Sequence, residues 1–299
     1  MKQLIAFAFA LMLTTGMALA QNTATTTQSG LGHDADVTQT GSNTATVTQS
    51  GGAQDADITQ VGAVNMATVT QENLGNQALV LQGTSNGTAA GVVATIEQVG
   101  AGGSATVVQG RRGNGAAAGS TVSVMQDGDA NVAYAAQGDS GDDTGSAVFV
   151  NQAAGTAANT AAVYQGHGVT NSSARNTATV NQNSGSGNLA QIAQSAEYWD
   201  GRNLVAEDNI ATIDQDGSGN QARINQGVAV ASVPVNGGSA TFNLGVIDQF
   251  GNGNDARIHQ GIDGTAASYN QAFIYQNSDA NAATITQSGD GNTSTVTQN

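Results

Sequence analysis

The sequence predicts an all-β fold: a cross-β solenoid with two strands per rung, about ten and a half rungs, and long insertions along one edge. Three observations lead there. A seven-residue phrase, N-x-A-x-[V/I]-x-Q, recurs twenty-one times. Its marked residues alternate with unmarked ones, the period of a strand with two unlike faces. The breaks between phrases are short and rich in glycine, as in Ser29-Gly30-Leu31-Gly32 and Asp216-Gly217-Ser218-Gly219, and glycine supplies the positive φ that tight turns need.

Residues 1–20 stand outside the pattern. Lys2 precedes an apolar run from Leu4 to Leu13 and then Ala18-Leu19-Ala20, the form of a secretory signal peptide with a small-residue cleavage site. The run is too short to span a membrane, and no other segment has the roughly 20 apolar residues a membrane helix needs. Residues 21–299 are therefore expected to form one secreted, extracellular repeat domain.

Forty glycines, one proline and 4% aromatics would suggest disorder if residue order were ignored. The period overrides that reading, since many small layers can stack where no large core exists. There is no cysteine, so cross-links do not hold the stack together. Beyond residue 20 the chain has 6 Arg and no Lys against 22 acidic residues, a formal balance of −16. Such a charge argues against nucleic acid and against anionic membranes as partners, and it keeps monomers apart during export.

Clean copies of the phrase are Asn43-x-Ala45-x-Val47-x-Gln49, Asn65-x-Ala67-x-Val69-x-Gln71, Asn176-x-Ala178-x-Val180-x-Gln182 and Asn281-x-Ala283-x-Ile285-x-Gln287. Taken in pairs from Gln28 and Gln39 onward, the closing glutamines lie 11 to 13 residues apart. Between pairs the spacing is 10 and 11, then 16, 17, 15, 17, 21, 23 and 16, and finally 11 again. Every long insertion thus falls at the same step of the cycle. A rung is read as two strands joined by a tight arc, with the insertions leaving from one edge and the stacked strands untouched. At ~4.8 Å per rung the solenoid should be on the order of 50 Å long.

The inward residues explain the strictness of the pattern. A buried amide without partners costs roughly 1–3 kcal/mol, and an in-register stack lets each Asn and Gln donate to the amide on one side and accept from the other. The predicted ladder positions include Asn22, Gln28, Asn43, Gln49, Asn65, Gln71, Asn176, Gln182, Asn281, Gln287, Asn292 and Gln298. Neither end of the array carries a helix, a proline cluster or a charged strand that would block pairing. Strands 22–28 and 292–298 are therefore expected to be polymerisation edges, and a head-to-tail contact that does not close makes a filament.

These residues resemble the curlin repeat, whose strand pairs read S-x5-Q and N-x-A-x3-Q around G-x-G-N turns. Asn22, Asn43, Asn65, Asn76, Asn131, Asn159, Asn176, Asn188, Asn209, Asn220, Asn254, Asn270 and Asn281 fill the Asn slot. Ser120 to Gln126 and Ser146 to Gln152 fit the Ser form, and Gly217-x-Gly219-Asn220 and Gly251-x-Gly253-Asn254 show the turn. The resemblance covers residues 22–298. It implies a secreted amyloid subunit whose partner is itself, together with a minor nucleator subunit and an outer-membrane secretion channel. Curlin subunits commonly have fewer rungs and a leader before the first repeat, whereas this array has about ten rungs and starts at Asn22.

Other motifs have plainer readings. G-x-G-x-x-A recurs at Gly30, Gly100, Gly185, Gly217 and Gly251, which makes it repeat-turn chemistry rather than a dinucleotide fingerprint. His33, His167 and His259 lack ligand spacing, so no metal site and no cofactor is expected from them. Asp139, Asp142 and Asp143 suggest either a weak Ca²⁺ site or, preferably, a solvated acidic loop. No nucleophile, base and orienter stand together, so the chain is not expected to be an enzyme. The acidic group Asp34, Asp36, Asp55 and Asp57 has no basic or aromatic subsite beside it that would suit a polysaccharide-acting solenoid.

A soluble, monomeric binding solenoid, ice-binding or adhesin-like, is the alternative. Outward threonine rows at Thr23/Thr25/Thr27, Thr44/Thr46/Thr48 and Thr293/Thr295/Thr297 suit an ice surface, but Phe149, Phe273 and Tyr275 interrupt them. Tyr198, Trp199 and Arg202, in one long insertion, are candidates for a partner-binding loop, and Pro234 lies in the next.

Overall fold

The structure, a computed structural model, describes residues 21–83, 88–111, 116–139, 142–167, 172–196, 205–227, 239–261 and 266–299. Residues 1–20 and the loop residues Tyr198, Trp199, Arg202 and Pro234 lie outside the described residues. Each phrase pairs in parallel and in register with the phrase two further along the chain, so that alternate phrases build two sheets. The front sheet carries Gln28, Gln49, Gln71, Gln98, Gln126, Gln152, Gln182, Gln215, Gln249, Gln276 and Gln298 in one column. The back sheet carries Gln39, Gln60, Gln82, Gln109, Gln137, Gln165, Gln194, Gln226, Gln260 and Gln287 in another. Eleven front and ten back strands make the ten and a half rungs that the spacing predicts.

The alternation in sequence becomes alternation in burial. In the strand Thr177–Gln182, Ala178, Val180 and Gln182 are buried while Thr177, Thr179 and Asn181 face out. The two inner faces meet in a thin core of alanine, valine and isoleucine, with Val47, Val69, Ile96 and Ile213 of the front sheet and Ile58, Ile192, Ile224 and Ile258 of the back sheet all buried. Each full burial of such a side chain contributes about 1.5–3 kcal/mol, and alanine one step away lets the sheets approach. Among the described residues there is no helix, and so none long and apolar enough to cross a membrane.

The tight arcs require glycine where one rung's carbonyl reaches the next. A Cβ on Gly30, at φ 131°, would lie 1.9 Å from the Gly51 carbonyl oxygen, and one on Gly217 would lie 2.0 Å from that of Gly251. A different rule holds immediately before the inward Asn slot. There the backbone is left-handed on almost every strand, and glycine fills only part of the series. Ala53, Val64, Ala130, Ala158, Arg175, Asp208, Phe242, Tyr269 and Ala280 hold φ of 51–62° in the rest. Non-glycine residues are disfavoured in that region by about 1–2 kcal/mol. In neighbouring rungs some of these residues support one another. Arg175 forms a two-point ion pair with Asp208, at 2.7 and 2.6 Å, and the rings of Phe242 and Tyr269 stack with centroids 5.0 Å apart.

The insertions correct one expectation. They do not simply leave the stack. Before rejoining the front sheet, each returns through a three-residue strand: Thr88–Ala90, Ala116–Ala118, Asp142–Thr144, Ser172–Ala174, Val205–Glu207, Ser239–Thr241 and Ala266–Ser268. These strands pair with one another, and with the two-residue Gly289–Asp290, as a narrow corner sheet along the insertion edge. The middle residue of each faces in and is small (Ala89, Ala117, Ser173, Ala206, Ala240, Ala267), with the exception of Asp143.

Candidate assembly edges and the ladders that lead to them

The glutamine slot is a chain of identical bonds. In the front column each side-chain amide donates from Nε2 to Oε1 of the glutamine one rung nearer the C-terminus. The series runs from Gln28 to Gln49 (2.8 Å) through Gln49 to Gln71 (2.9 Å) and on to Gln276 to Gln298 (2.9 Å). The back column does the same from Gln39 to Gln60 (2.7 Å) as far as Gln260 to Gln287 (2.8 Å). No step is missing in either column, and every bond points the same way. The second Nε2 hydrogen goes to a backbone carbonyl of the facing sheet, as from Gln49 to Asp34 O (2.8 Å) and from Gln71 to Asp55 O (3.0 Å). The ladder therefore also ties front to back.

The asparagine slot works differently from the expected amide-to-amide ladder. Its Oδ1 accepts a backbone N–H from the next rung: Asn43 N to Asn22 Oδ1 (3.0 Å), Asn65 N to Asn43 Oδ1 (3.2 Å), Asn209 N to Asn176 Oδ1 (2.8 Å) and Asn292 N to Asn270 Oδ1 (2.7 Å). Its Nδ2 donates to turn carbonyls, as from Asn43 to Thr40 O and from Asn281 to Ser278 O, both at 3.0 Å. Asn176 instead reaches the corner sheet, donating to Ser173 Oγ and Ala206 O at 2.7 Å each. Asn caps the turn, and Gln rivets the sheets. Amide-to-amide contact in the Asn slot is limited, among the described residues, to Asn209 with Asn176 and Asn243 with Asn209, both at 3.1 Å.

All twelve predicted ladder residues lie in these inward slots. Asn43, Gln49, Asn65, Gln71, Asn176 and Gln182 are buried inside the stack, and Gln287, in the last described back strand, is 4% exposed. Asn22, Gln28, Asn281, Asn292 and Gln298 lie in the outermost strands and are partly or fully exposed. The two ends are chemically unlike. Oε1 atoms of Gln28 and Gln39 begin the columns as acceptors. At the other end, Gln287 and Gln298 bond to Gln271 O (2.9 Å) and Ala282 O (3.1 Å), and their Nε2 groups stand where every earlier glutamine donates onward.

Two of the three acidic residues of the insertion at 139–143 are drawn into the stack rather than left in a solvated loop. Asp139 is buried and paired with Arg111 at 3.0 Å, while Asp142 is exposed and accepts from Ala116 N at 3.2 Å. Asp143 occupies an alanine slot of the corner sheet. Its Oδ2 accepts from Ser120 Oγ at 2.5 Å, and its Oδ1 is buried without a hydrogen-bond partner among the described residues. Burial pushes this carboxyl up to about 6, against the pull of the hydroxyls of Ser120, Ser146 and Ser173, of which only Ser120 bonds it with good geometry. Among the described residues no three metal-binding side chains converge. Asp34 stacks on Asp55 and Asp36 on Asp57, and burial, then the neighbouring carboxylates, raise the Asp57 carboxyl. The outward threonine column breaks as expected, since Thr25, Thr46, Thr68 and Thr95 lead to Ser123 and Phe149.

The described residues thus form a parallel, in-register β-solenoid whose two glutamine ladders run unbroken from the first described strand to the last. The curlin associated repeat matches residues 42–72 and 270–299, so the chain carries curlin repeats at those two places. The matched segments lie near the two ends of the array, and the rungs between them repeat the same inward pattern with the insertions added. A comparison with curated proteins finds no match.

Proposed function

We propose that the chain is a structural subunit of extracellular curli-like fibres that polymerises through the open ends of its solenoid and serves biofilm matrix and adhesion. The observation that carries this reading is the one-way glutamine ladder. Its acceptor end (Gln28, Gln39) and donor end (Gln287, Gln298) are complementary, so a second copy extends both columns by the bond that already joins every rung. The exposed backbone edges add a row of N–H and C=O groups to each junction. Its main partner is itself. A minor nucleator, an outer-membrane secretion channel and a signal peptide over residues 1–20 complete the proposal, and the Tyr198, Trp199 and Arg202 loop is its candidate for surface recognition. Purified residues 21–299 should assemble after a lag into β-rich, detergent-resistant fibres, followed by thioflavin-T fluorescence and electron microscopy. A monomer that persists for days at tens of micromolar would replace this reading with a soluble binding solenoid.

A further inference from the structure

The fibre reading leaves the joint between copies undefined, and the strand count defines it. The chain alternates front and back strands and climbs one rung per pair. The described array opens on a front strand, Thr23–Leu31, and its uppermost strand, Thr293–Gln298, is again a front strand, stacked on Gln271–Gln276. The last described back strand, Ala282–Gln287, stands half a rung lower, and no described strand lies above it.

A second copy placed above without rotation would set its Thr23–Leu31 on Thr293–Gln298. Its own first back strand would then lie two rungs above Ala282–Gln287, leaving a gap one strand wide with unpaired N–H and C=O groups on both sides. A half-turn about the stack axis removes the gap. It swaps front with back and reverses strand direction, and the strands of one rung run in opposite directions, so parallel pairing is kept. The incoming Thr23–Leu31 then lies on Ala282–Gln287, and the incoming back strand lies on Thr293–Gln298. Equivalent inward slots coincide: Ala24 over Ala283, Thr26 over Ile285 and Gln28 over Gln287 in one column, with Val37 over Val296 and Gln39 over Gln298 in the other. Donor meets acceptor in both columns.

The edges are shaped for this joint. Connections of three or four residues, 40–42, 61–64 and 288–291, are found at the two ends of the insertion edge, and all seven long insertions lie between Gln82 and Gln276. Among the described residues, only these short connections border the junction on the insertion edge. We infer that successive copies of the described array are related by a half-turn about the fibre axis, so that their insertions project from alternate edges.

This inference rests on the fibre reading, and cysteine pairing separates the two. The chain has no cysteine of its own. Thr25, Thr284 and Thr295 are exposed on outward columns. Neighbouring parallel strands are about 4.8 Å apart, which suits a disulfide. Fibres of the double variant Thr25→Cys with Thr284→Cys should, on oxidation, run as a ladder of covalent multimers on a non-reducing gel, while Thr25→Cys with Thr295→Cys should stay monomeric. The reverse pattern would overturn the half-turn and leave the fibre reading intact, as would fibres in which neither pair cross-links. If the cysteine-free chain forms no fibres, the fibre reading fails and the joint with it.

Discussion

Each phrase opens with one amide and closes with another, and the two slots follow different rules. The closing slot holds glutamine on every strand. The opening slot also accepts His33, Gln54, Val92, Gly103, Ser120 and Ser146. The bonding explains the difference. A glutamine bonds its own kind on both sides, so one replacement strands a buried donor below and a buried acceptor above. An asparagine bonds mainly backbone groups, one N–H of the next rung and carbonyls of the turns, so on most rungs a replacement loses those bonds but strands no second amide side chain. Ser146 Oγ still accepts from Asn176 N at 3.2 Å, and Ser120 Oγ from Ser146 N at 3.3 Å. Homotypic ladders demand identity, and side-chain-to-backbone ladders tolerate exchange.

The most forceful way to break this comparison is Gln152→Ala. Gln126 would lose its acceptor, Gln182 its donor, and the carbonyls of Val132 and Asn159 a shared N–H, all inside the stack. With the cavity added, the loss should be about 4 kcal/mol, read as a lower guanidinium midpoint of the folded chain. A loss below about 1 kcal/mol would remove the reason for an invariant slot.

The corner sheet has no amide ladder, and there a polar residue is a liability. Asp143 is held above its ordinary value of 3.8 at about 6, so the folded state favours the protonated form. The destabilisation is absent below about pH 4, grows as pH rises, and is complete above about pH 6. Stability should therefore fall across that window. Asp143→Ser, which repeats the Ser173 pattern of the next rung, should flatten the profile and raise stability at pH 7 by about 3 kcal/mol. Parallel pH profiles for the two chains would show that the carboxyl is not the cause.

A smaller effect sharpens the other half of the comparison. Asn159→Ser keeps an oxygen for Asn188 N, which Asn159 Oδ1 now accepts at 2.8 Å, and should cost about 1 kcal/mol. A cost equal to that of Gln152→Ala would merge the two slots into one class. Smallest of all is Val64→Gly. Val64 is β-branched and exposed at φ 62°, and glycine there should stabilise by up to about 1 kcal/mol in the same denaturation measurement. A loss of stability would show that the valine side chain holds the turn.

These positions also mark what the sequence let one read. The rung, its two faces and the insertion edge follow from spacing alone, because a seven-residue phrase with a closing glutamine leaves a period that insertions shift but do not erase. The division of labour between the amides does not, since Asn and Gln look alike in a pattern and differ by the one methylene that decides whether a side chain reaches its neighbour or the backbone. The corner strands escaped because Thr88–Ala90 and Ala116–Ala118 are too short and too uniform to show a period. Asp143 escaped for the same reason, since nothing nearby marks its slot as inward. The left-handed column was half visible in Gly91, Gly119 and Gly145, but Phe242 and Tyr269 hide it, held in place by stacking on each other rather than by conformational ease.

The central claim is that fibres grow by stacking whole solenoids end to end. Mass per length tests it most directly. Residues 21–299 of this 29.7 kDa chain, spanning about 50 Å of fibre axis, should give about 0.55 kDa per ångström for a single filament in scanning transmission electron microscopy. A filament that instead packs one chain into each layer of about 4.8 Å would give roughly tenfold more, and that value would contradict end-to-end growth.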